Sequence, residues 1–117
     1  MGFEIPFSVE EIDSACRRVV AENGIEDGYV RPFAWRGSEM MAVSAQATSI
    51  HVAIAAWPWP AYFGEEARTR GIRLDFGEYR RPSPDCAPTD SKAAGLYMIC
   101  TLSKHKAEAA GYHDALM

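Results

Sequence analysis

The sequence predicts an α+β fold for this chain of 117 residues. Residues 8–22 have the apolar spacing of an amphipathic helix. Residues 28–35 and 50–57 have the composition of two strands, rich in aromatic, β-branched and other apolar residues. Residues 58–60 read Pro-Trp-Pro, a stiff extended connector, so we expect a boundary between two structural halves there.

The first helix is predicted to begin at a capping box. Ser8 and Glu11 have the spacing at which each side chain accepts a hydrogen bond from the other residue's backbone N–H. Asn23-Gly24 is typical of a helix end. The predicted apolar face consists of Ile12, Ala15, Cys16, Val19 and Val20.

The first strand contains two unusual residues. Pro32 cannot donate a hydrogen bond to a neighbouring strand, which indicates an edge position or a bulge. Arg31 lies among aromatic and apolar residues, so its guanidinium either extends from the sheet into solvent or presents its N–H fork to an anion. The pattern leaves both readings open.

Residues 36–49 read as a loop, and the run from Ile50 to Trp57 is almost continuously apolar. Such a run predicts a central strand covered on both faces. The aromatic residues that follow either pack the connector or form one wall of a pocket, and composition does not choose between the two. They are Trp57, Trp59, Tyr62 and Phe63.

The second half contains a proline-rich loop followed by a long helix. An N-cap at Thr89, Asp90 or Ser91 predicts a helix that runs to about Ala110 and ends at Gly111. The other predicted elements are a short helix or turn at 65–70, a strand at 72–79, the loop at 82–88 and a strand beginning at 113.

Lys92 is the candidate nucleophile, because it follows the predicted start of that helix. The first turn of a helix carries positive partial charge, which favours the neutral amine that forms Schiff bases. Most lysines near a helix start are solvated surface groups, and the spacing alone favours that reading of Lys92.

Composition excludes several classes of function. With 12 Lys and Arg against 16 Asp and Glu, and no basic stripe, the chain lacks the charge pattern of a nucleic-acid binder. The longest apolar run, residues 52–63, is shorter than the roughly 20 residues of a membrane span. Three scattered cysteines and no signal sequence indicate a reducing cytoplasm, and no histidine has partners at metal-ligand spacing.

Three strings carry a resemblance to a known family: GYVRPFAWRGSEMM (28–41), WPWPAYFG (57–64) and PTDSKAAGLYMICTLSKHKAEAAGYHDA (88–115). They closely resemble the fold-type IV pyridoxal-phosphate enzymes, most nearly the bacterial branched-chain amino acid aminotransferases. The resemblance implies a two-domain architecture. Residues 1–57 would end the small α/β domain, residues 58–64 would form the interdomain connector that closes over substrate, and residues 65–117 would begin the large cofactor-binding domain.

The resemblance also implies roles for single residues. Lys92 aligns with the lysine that forms the internal aldimine and shuttles the substrate proton, and Tyr97 with the tyrosine that hydrogen-bonds the phenolic oxygen of the cofactor. Arg31 aligns with the arginine that receives a substrate carboxylate. The remaining implied positions are Tyr29 and Trp59 as walls of the substrate pocket, and Val43 and Tyr62 as residues that reach the neighbouring subunit's pocket in dimers.

The implied reaction is ping-pong transamination of leucine, isoleucine and valine with 2-oxoglutarate, in a cytoplasmic homodimer or larger assembly. Two alternatives remain. A D-amino acid aminotransferase or an aminodeoxychorismate lyase shares the lysine and the cofactor, and a noncatalytic α/β binding or assembly module needs neither.

Family members are more than twice as long as this chain, so we expect a fragment, a proteolysed remnant or one chain of an enzyme completed elsewhere, with Met1 as an internal start. The phosphate-binding arginine, the glutamate that pairs with the pyridine nitrogen and the phosphate-binding turns of the family have no counterpart in it. A strand that stops at Met117 would leave an unpaired edge. We therefore expect residues 1–117 alone to be inactive or nearly so.

Overall fold

The computed structural model describes residues 1–59 and 62–117, and it contains both helices and strands. Pro60 and Ala61, which belong to the predicted connector, lie outside the described residues. The elements in chain order are α1 (Val9–Glu22), β1 (Gly28–Arg36), β2 (Ile50–Pro58), α2 (Glu65–Arg70), β3 (Leu74–Phe76), a 3₁₀ helix (Ala94–Leu96), α3 (Met98–Ala109) and β4 (Asp114–Leu116).

The chain divides into two compact units. The N-terminal unit, Gly2–Tyr62, contains α1, β1 and β2, and the C-terminal unit, Phe63–Met117, contains the remaining elements. Within residues 1–59 and 62–117, no helix has the length and apolar character needed to cross a bilayer.

The N-terminal unit is a helix packed on a two-stranded antiparallel sheet. The register pairs Gly28 with Pro58 at one end and Arg36 with Ile50 at the other. A groove between α1 and β2 is lined by Ile12, Ala15 and Val19 of the helix and by Val52 and Ile54 of the strand. Because side chains alternate along a strand, Tyr29, Arg31, Phe33 and Trp35 lie on the opposite face of β1.

The predicted start of α1 is confirmed. The Glu11 backbone N–H donates to Ser8 Oγ at 3.1 Å, and the Ser8 backbone N–H donates to Glu11 Oε2 at 2.7 Å. These two bonds satisfy backbone donors that an uncapped helix would leave to water. At the other end, Gly24 adopts a positive φ of 62°, a conformation that glycine accepts without steric cost.

The predicted strand at 50–57 is present, but the expectation that it is central and covered on both faces was wrong. In the described part of the chain β2 pairs with β1 alone. Its three alanines count as apolar in a sequence pattern yet bury little surface, so a nearly continuous apolar run here does not require cover on both sides.

The C-terminal unit packs α3 against a short parallel pair, β3 and β4, with Leu74 opposite Asp114 and Phe76 opposite Leu116. Ala107 of α3 is 1% exposed and lies in the core of the unit. The predicted short helix at 65–70 and the irregular proline-rich loop are confirmed. The strand predicted at 72–79 is only three residues long, Leu74–Phe76.

The predicted start of the long helix was wrong, although its end was right. None of Thr89, Asp90 and Ser91 caps a helix, because α3 begins only at Met98 and is preceded by the 3₁₀ helix. The Ser91 hydroxyl donates to the carbonyl of Pro88 at 2.7 Å and so closes a turn. At the C-terminal end Gly111 has a φ of 82°, as expected for the residue that follows a helix.

Candidate cofactor and substrate residues

Lys92 and Tyr97 are in direct contact in the C-terminal unit. Lys92 Nζ donates a hydrogen bond to Tyr97 Oη at 2.5 Å and lies 4.3 Å from the centroid of the tyrosine ring. Both side chains are exposed. The structure therefore presents an accessible amine beside a phenol.

The other two lysines of the chain are held by carboxylates. Lys104 Nζ lies 3.2 Å from Glu108 Oε1 and 3.6 Å from Asp114 Oδ2, and Lys106 pairs with Glu78. In residues 1–59 and 62–117, no carboxylate oxygen lies within 4.0 Å of Lys92 Nζ. Lys92 thus differs from Lys104 and Lys106 in having a phenol, and no carboxylate, as its side-chain partner.

A turn places Lys92, and the helix-dipole argument for its reactivity does not hold. The backbone N–H of Ser91 donates to the Pro88 carbonyl at 3.1 Å, which ends the proline-rich loop just before Lys92. The 3₁₀ helix starts two residues after the lysine, at Ala94. Its tight turn brings Tyr97 back toward Lys92, so proximity to a phenol replaces the predicted position in a first helical turn.

The loop before Lys92 has its own polar contacts. The Ser83 hydroxyl contacts the Asp85 carboxylate, and this hydrogen bond holds the pKa of Asp85 below its usual range. The same hydroxyl lies 3.2 Å from Cys86 Sγ. These contacts order an exposed loop without regular structure.

Arg31 lies over aromatic rings of both strands in the N-terminal unit. The central carbon of its guanidinium is 5.2 Å from the centroid of the Tyr29 ring and 5.9 Å from that of Trp57. Arg31 Nη2 is 3.5 Å from Tyr29 Oη. Arg31 is thus an exposed side chain whose guanidinium lies over aromatic rings. The binding of an anion by this guanidinium stays a prediction.

The aromatic residues around Arg31 form one continuous cluster. The Tyr29 ring lies 5.2 Å from Trp57 and 5.9 Å from Trp59, measured between centroids, and Trp59 lies 6.0 Å from Tyr62. Four of the five predicted substrate residues, Tyr29, Arg31, Trp59 and Tyr62, are thereby brought together within the N-terminal unit. We call these four residues together with Trp57 the aromatic cluster.

Val43, the fifth predicted substrate residue, lies apart in the loop between β1 and β2, and its side chain is fully exposed. The loop is anchored at its base. Arg36 donates to the carbonyls of Ala45 at 2.8 Å and Gly2 at 2.7 Å, and the buried Thr48 hydroxyl also donates to Ala45, at 2.7 Å. The hydrogen bonds at the base hold the loop, and the Val43 side chain at its tip is exposed to solvent.

Glu39 contributes a further contact in this loop. The Ser49 backbone N–H donates to Glu39 Oε1 at 3.1 Å. Hydrogen bonding from Ser49, chiefly through its side chain, lowers the pKa of Glu39 from its ordinary value.

The sequence did not reveal that Trp57 contacts Arg31. The residues lie 26 positions apart, and only the strand register, which pairs Tyr29 with Trp57, brings them to the same end of the sheet. The loop that joins the strands is too long for turn chemistry to fix that register. In the described ranges, His, Cys, Asp and Glu residues form no group of three that could hold a metal ion, and all three cysteines are free thiols.

Comparison with known proteins agrees with this geometry. The model of the family "amino-transferase class IV" matches residues 1–117. A branched-chain-amino-acid aminotransferase of Pseudomonas aeruginosa is 38% identical over 117 residues, which cover 100% of this chain and 38% of that protein. The corresponding enzyme of Escherichia coli is 36% identical over 115 residues, covering 97% of this chain and 37% of the enzyme.

Solved structures give the same result. The crystal structure of the Escherichia coli branched-chain amino acid aminotransferase matches with a TM-score of 0.89 at 35% identity, covering 97% of this chain and 38% of that one. A branched-chain aminotransferase from Thermoproteus uzoniensis, crystallised with norvaline, matches with a TM-score of 0.88 at 29% identity, covering 99% of this chain and 38% of that one. The predicted fold-type IV α+β architecture is confirmed, over a chain that spans less than two fifths of the length of these relatives. The chain belongs to the class IV aminotransferase family.

Proposed function

We propose that this chain is part of a pyridoxal-phosphate-dependent enzyme that transaminates leucine, isoleucine and valine with 2-oxoglutarate. The relatives named above are branched-chain aminotransferases, which supports the choice of substrate. The observation that carries the proposal is the contact between Lys92 and Tyr97, because it presents the amine that this chemistry requires. Free thiols are compatible with a reducing compartment such as the cytoplasm.

The residues present fit the cofactor. Pyridoxal phosphate requires an accessible primary amine for its aldehyde and a hydrogen-bond donor near its phenolic oxygen, and Lys92 and Tyr97 offer these two groups side by side. When bound, the cofactor supplies an electron sink for the charge that develops at the substrate Cα. Residues 1–117 lack counterparts of the family's phosphate-binding arginine and turns, so we propose that they are inactive or nearly so without further protein.

Lys92 would act as the proton carrier of the reaction. Once its amine is free and neutral, Nζ would accept a proton from the substrate Cα and would donate it to the carbon on the other side of the substrate nitrogen. Tyr97 Oη would orient that amine between the two positions by the hydrogen bond that the structure shows. Lys92 has no carboxylate partner in the described residues, so no ion pair has to break before it acts.

Three residues of the aromatic cluster, Tyr29, Arg31 and Trp59, would bind the substrate side chain. Tyr29 and Trp59 provide apolar walls for a branched aliphatic group, and the Arg31 guanidinium provides a charged partner for the side-chain carboxylate of glutamate or 2-oxoglutarate. One pocket can then accept both substrates of a two-step exchange. In a homodimer, Val43 and Tyr62 would reach the pocket of the neighbouring subunit.

The division into domains is part of this proposal. Residues 1–57 would belong to the small domain, 65–117 to the large domain, and the connector 58–64 would close over bound substrate. Two of its residues, Pro60 and Ala61, lie outside the described part of the chain.

Borohydride trapping tests the proposal. The chain is incubated with pyridoxal phosphate, reduced and digested, and the pyridoxyl group is located by peptide mass. We expect label at Lys92 in excess of Lys104 and Lys106, which serve as internal controls because carboxylates hold them. Lys92→Arg should remove the excess. Equal labelling of the three lysines, or none, would contradict the proposed cofactor site.

Substrate choice is tested by a chimera in which residues 1–117 replace the matching segment of the Escherichia coli relative. We expect turnover of L-leucine with 2-oxoglutarate and none of D-alanine. Preference for D-alanine would favour a D-amino acid aminotransferase, and release of pyruvate from aminodeoxychorismate would favour the lyase. A stable chain that does not bind pyridoxal phosphate would favour the noncatalytic module.

A further inference from the structure

The Arg31 guanidinium contacts two aromatic rings and one phenolic oxygen in the described part of the chain. The group lies over the rings of Tyr29 and Trp57, with centroid distances of 5.2 and 5.9 Å. A guanidinium carries five N–H donors, more than the contact with Tyr29 Oη uses, and two of them can bind a carboxylate by parallel hydrogen bonds.

The charge of Arg31 is also available. Across the described residues, no carboxylate oxygen lies within 4.0 Å of the guanidinium nitrogens of Arg31. By contrast, Arg17, Arg18 and Arg70 each pair with an acidic residue on the same helix. Within the described residues, the polar contact of Arg31 is to a phenol, Tyr29 Oη, at 3.5 Å.

The strand register explains why Arg31 reaches Trp57. The residue directly opposite Arg31 is Ala55, whose methyl group fills little of the space above the sheet. Trp57 is two residues further along β2, opposite Tyr29, and therefore diagonal to Arg31. A long side chain spans that diagonal readily, so Arg31 leans along the sheet toward the tryptophan.

We propose that Trp57 is a positioning residue which, together with Tyr29, holds the Arg31 guanidinium at this end of the sheet for binding to a dicarboxylate. The identity of the dicarboxylate as glutamate or 2-oxoglutarate rests on the proposed function. The binding step itself requires neither cofactor nor turnover. Trp57 acts here through Arg31 and touches no reacting atom.

Loss of Trp57 should weaken the binding of a dicarboxylate more than the binding of an aliphatic substrate. Loss of the Trp57 ring releases the guanidinium into many rotamers, and a cation–π contact at an exposed site corresponds to about a two- to fivefold change in affinity. Binding that does not use Arg31 should be insensitive to the same change. Trp57 would therefore adjust the balance between the dicarboxylate and the aliphatic substrate.

The experiment uses the full 117-residue chain and glutarate, a dicarboxylate with no reactive carbonyl. Glutarate is titrated while the backbone amides of β1 and the Arg31 Nε–H are followed by NMR. In the unchanged chain, Arg31 Nε–H should show the upfield shift of a proton above aromatic rings. Trp57→Leu should reduce that shift, leaving the part due to Tyr29, and weaken glutarate binding about two- to fivefold. Trp57→Phe, which keeps a ring, should restore most of both.

Trp35→Leu is the matched control. Trp35 lies on the same face of the sheet but stacks on Phe33 and His51, with centroid distances of 5.3 and 5.4 Å, and has no contact with Arg31 among the described residues. It should leave the Arg31 shift and the affinity unchanged. Arg31→Leu should abolish the binding.

Three results would overturn the inference: no glutarate binding to the unchanged chain, unchanged affinity in Trp57→Leu, or equal losses in Trp57→Leu, Trp57→Phe and Trp35→Leu. The last pattern would mean that the tryptophans act through general packing. These results are separable from the trapping experiment. Selective labelling of Lys92 without an effect of Trp57→Leu would retain the proposed function and reject the positioning role. An effect of Trp57→Leu without selective labelling of Lys92 would retain the positioning role and reject the proposed cofactor site.

Discussion

The Nζ atom of Lys92 and the phenolic oxygen of Tyr97 lie 2.5 Å apart, although neither residue is inside an α-helix. A turn that ends at Ser91 and the 3₁₀ helix at Ala94–Leu96 together bring them into contact. Their contact depends on this turn and this 3₁₀ helix, and it does not depend on the spacing of residues along an α-helix. The contact leads directly to a test on Tyr97.

Tyr97→Phe removes the hydroxyl and keeps the ring above which Lys92 lies. Losing one hydrogen bond should weaken binding of pyridoxal phosphate by roughly two- to tenfold, the range for a typical hydrogen bond. The apparent dissociation constant is read from the amount of label trapped at Lys92 across a cofactor titration. Tyr79→Phe, in the same unit, is the control and should match the unchanged chain. Identical titrations for the two variants would show that the Tyr97 hydroxyl has no part in cofactor binding.

Ser49→Ala should raise the pKa of Glu39. The folded chain holds the pKa of this carboxyl below its ordinary value, first through the Ser49 side chain, and the variant retains the backbone N–H of residue 49. The return toward the ordinary value should therefore be partial. A pH titration of the Glu39 carboxyl carbon by NMR measures it, and Ser44→Ala in the same loop is the control.

The same contact gives stability a pH dependence of known sign. A carboxyl whose pKa is lower in the folded chain stabilises the fold above its unfolded pKa, and this stabilisation disappears as the pH falls through the folded value. Acidification should therefore loosen the loop of residues 37–49, measured as faster amide hydrogen exchange once exchange is corrected for pH. Glu39→Gln should lack that component. A variant with the same acid response as the unchanged chain would assign the response to another group.

Ser8→Ala should destabilise the N-terminal unit by about 1 kcal/mol, because it leaves the Glu11 backbone N–H without its cap. All three tryptophans lie in this unit, so urea unfolding followed by tryptophan fluorescence reports on it. Ser14→Ala, at an exposed position within α1, should cause no loss, since alanine is the best helix former. Equal effects of the two substitutions would rule out capping as the cause.

Gly28→Ala should disturb the end of the sheet that carries Trp57. An added Cβ would lie 2.5 Å from the Trp57 carbonyl oxygen and 2.6 Å from Ile25 Cγ2, so the strands must move apart. We expect a loss on the order of 1–3 kcal/mol in urea unfolding. Gly95→Ala, which has no atom within 4 Å of the new methyl group, should be close to neutral. A neutral Gly28→Ala would show that this end of the sheet adapts freely.

Elements with strong local signals could be read from the sequence. The capping box at Ser8 and the apolar face of the first helix defined α1 nearly to the residue, because each signal acts within a few positions of the chain. The glycine at 111 likewise marked the end of α3. The start of α3 could not be predicted, because Ser91 has two local hydrogen-bonding options, a helix cap and a turn, and the turn with Pro88 was formed.

The sequence by itself determined the identity of the elements, the family resemblance and the candidate residues, since these depend on residue type and spacing. Only the tertiary structure decided which residues meet. Lys92 contacts Tyr97 because of a turn, and Arg31 lies over Trp57 because the strand register places Trp57 opposite Tyr29. Register depends on the packing of two whole strands against α1, and no short stretch of sequence contains that information.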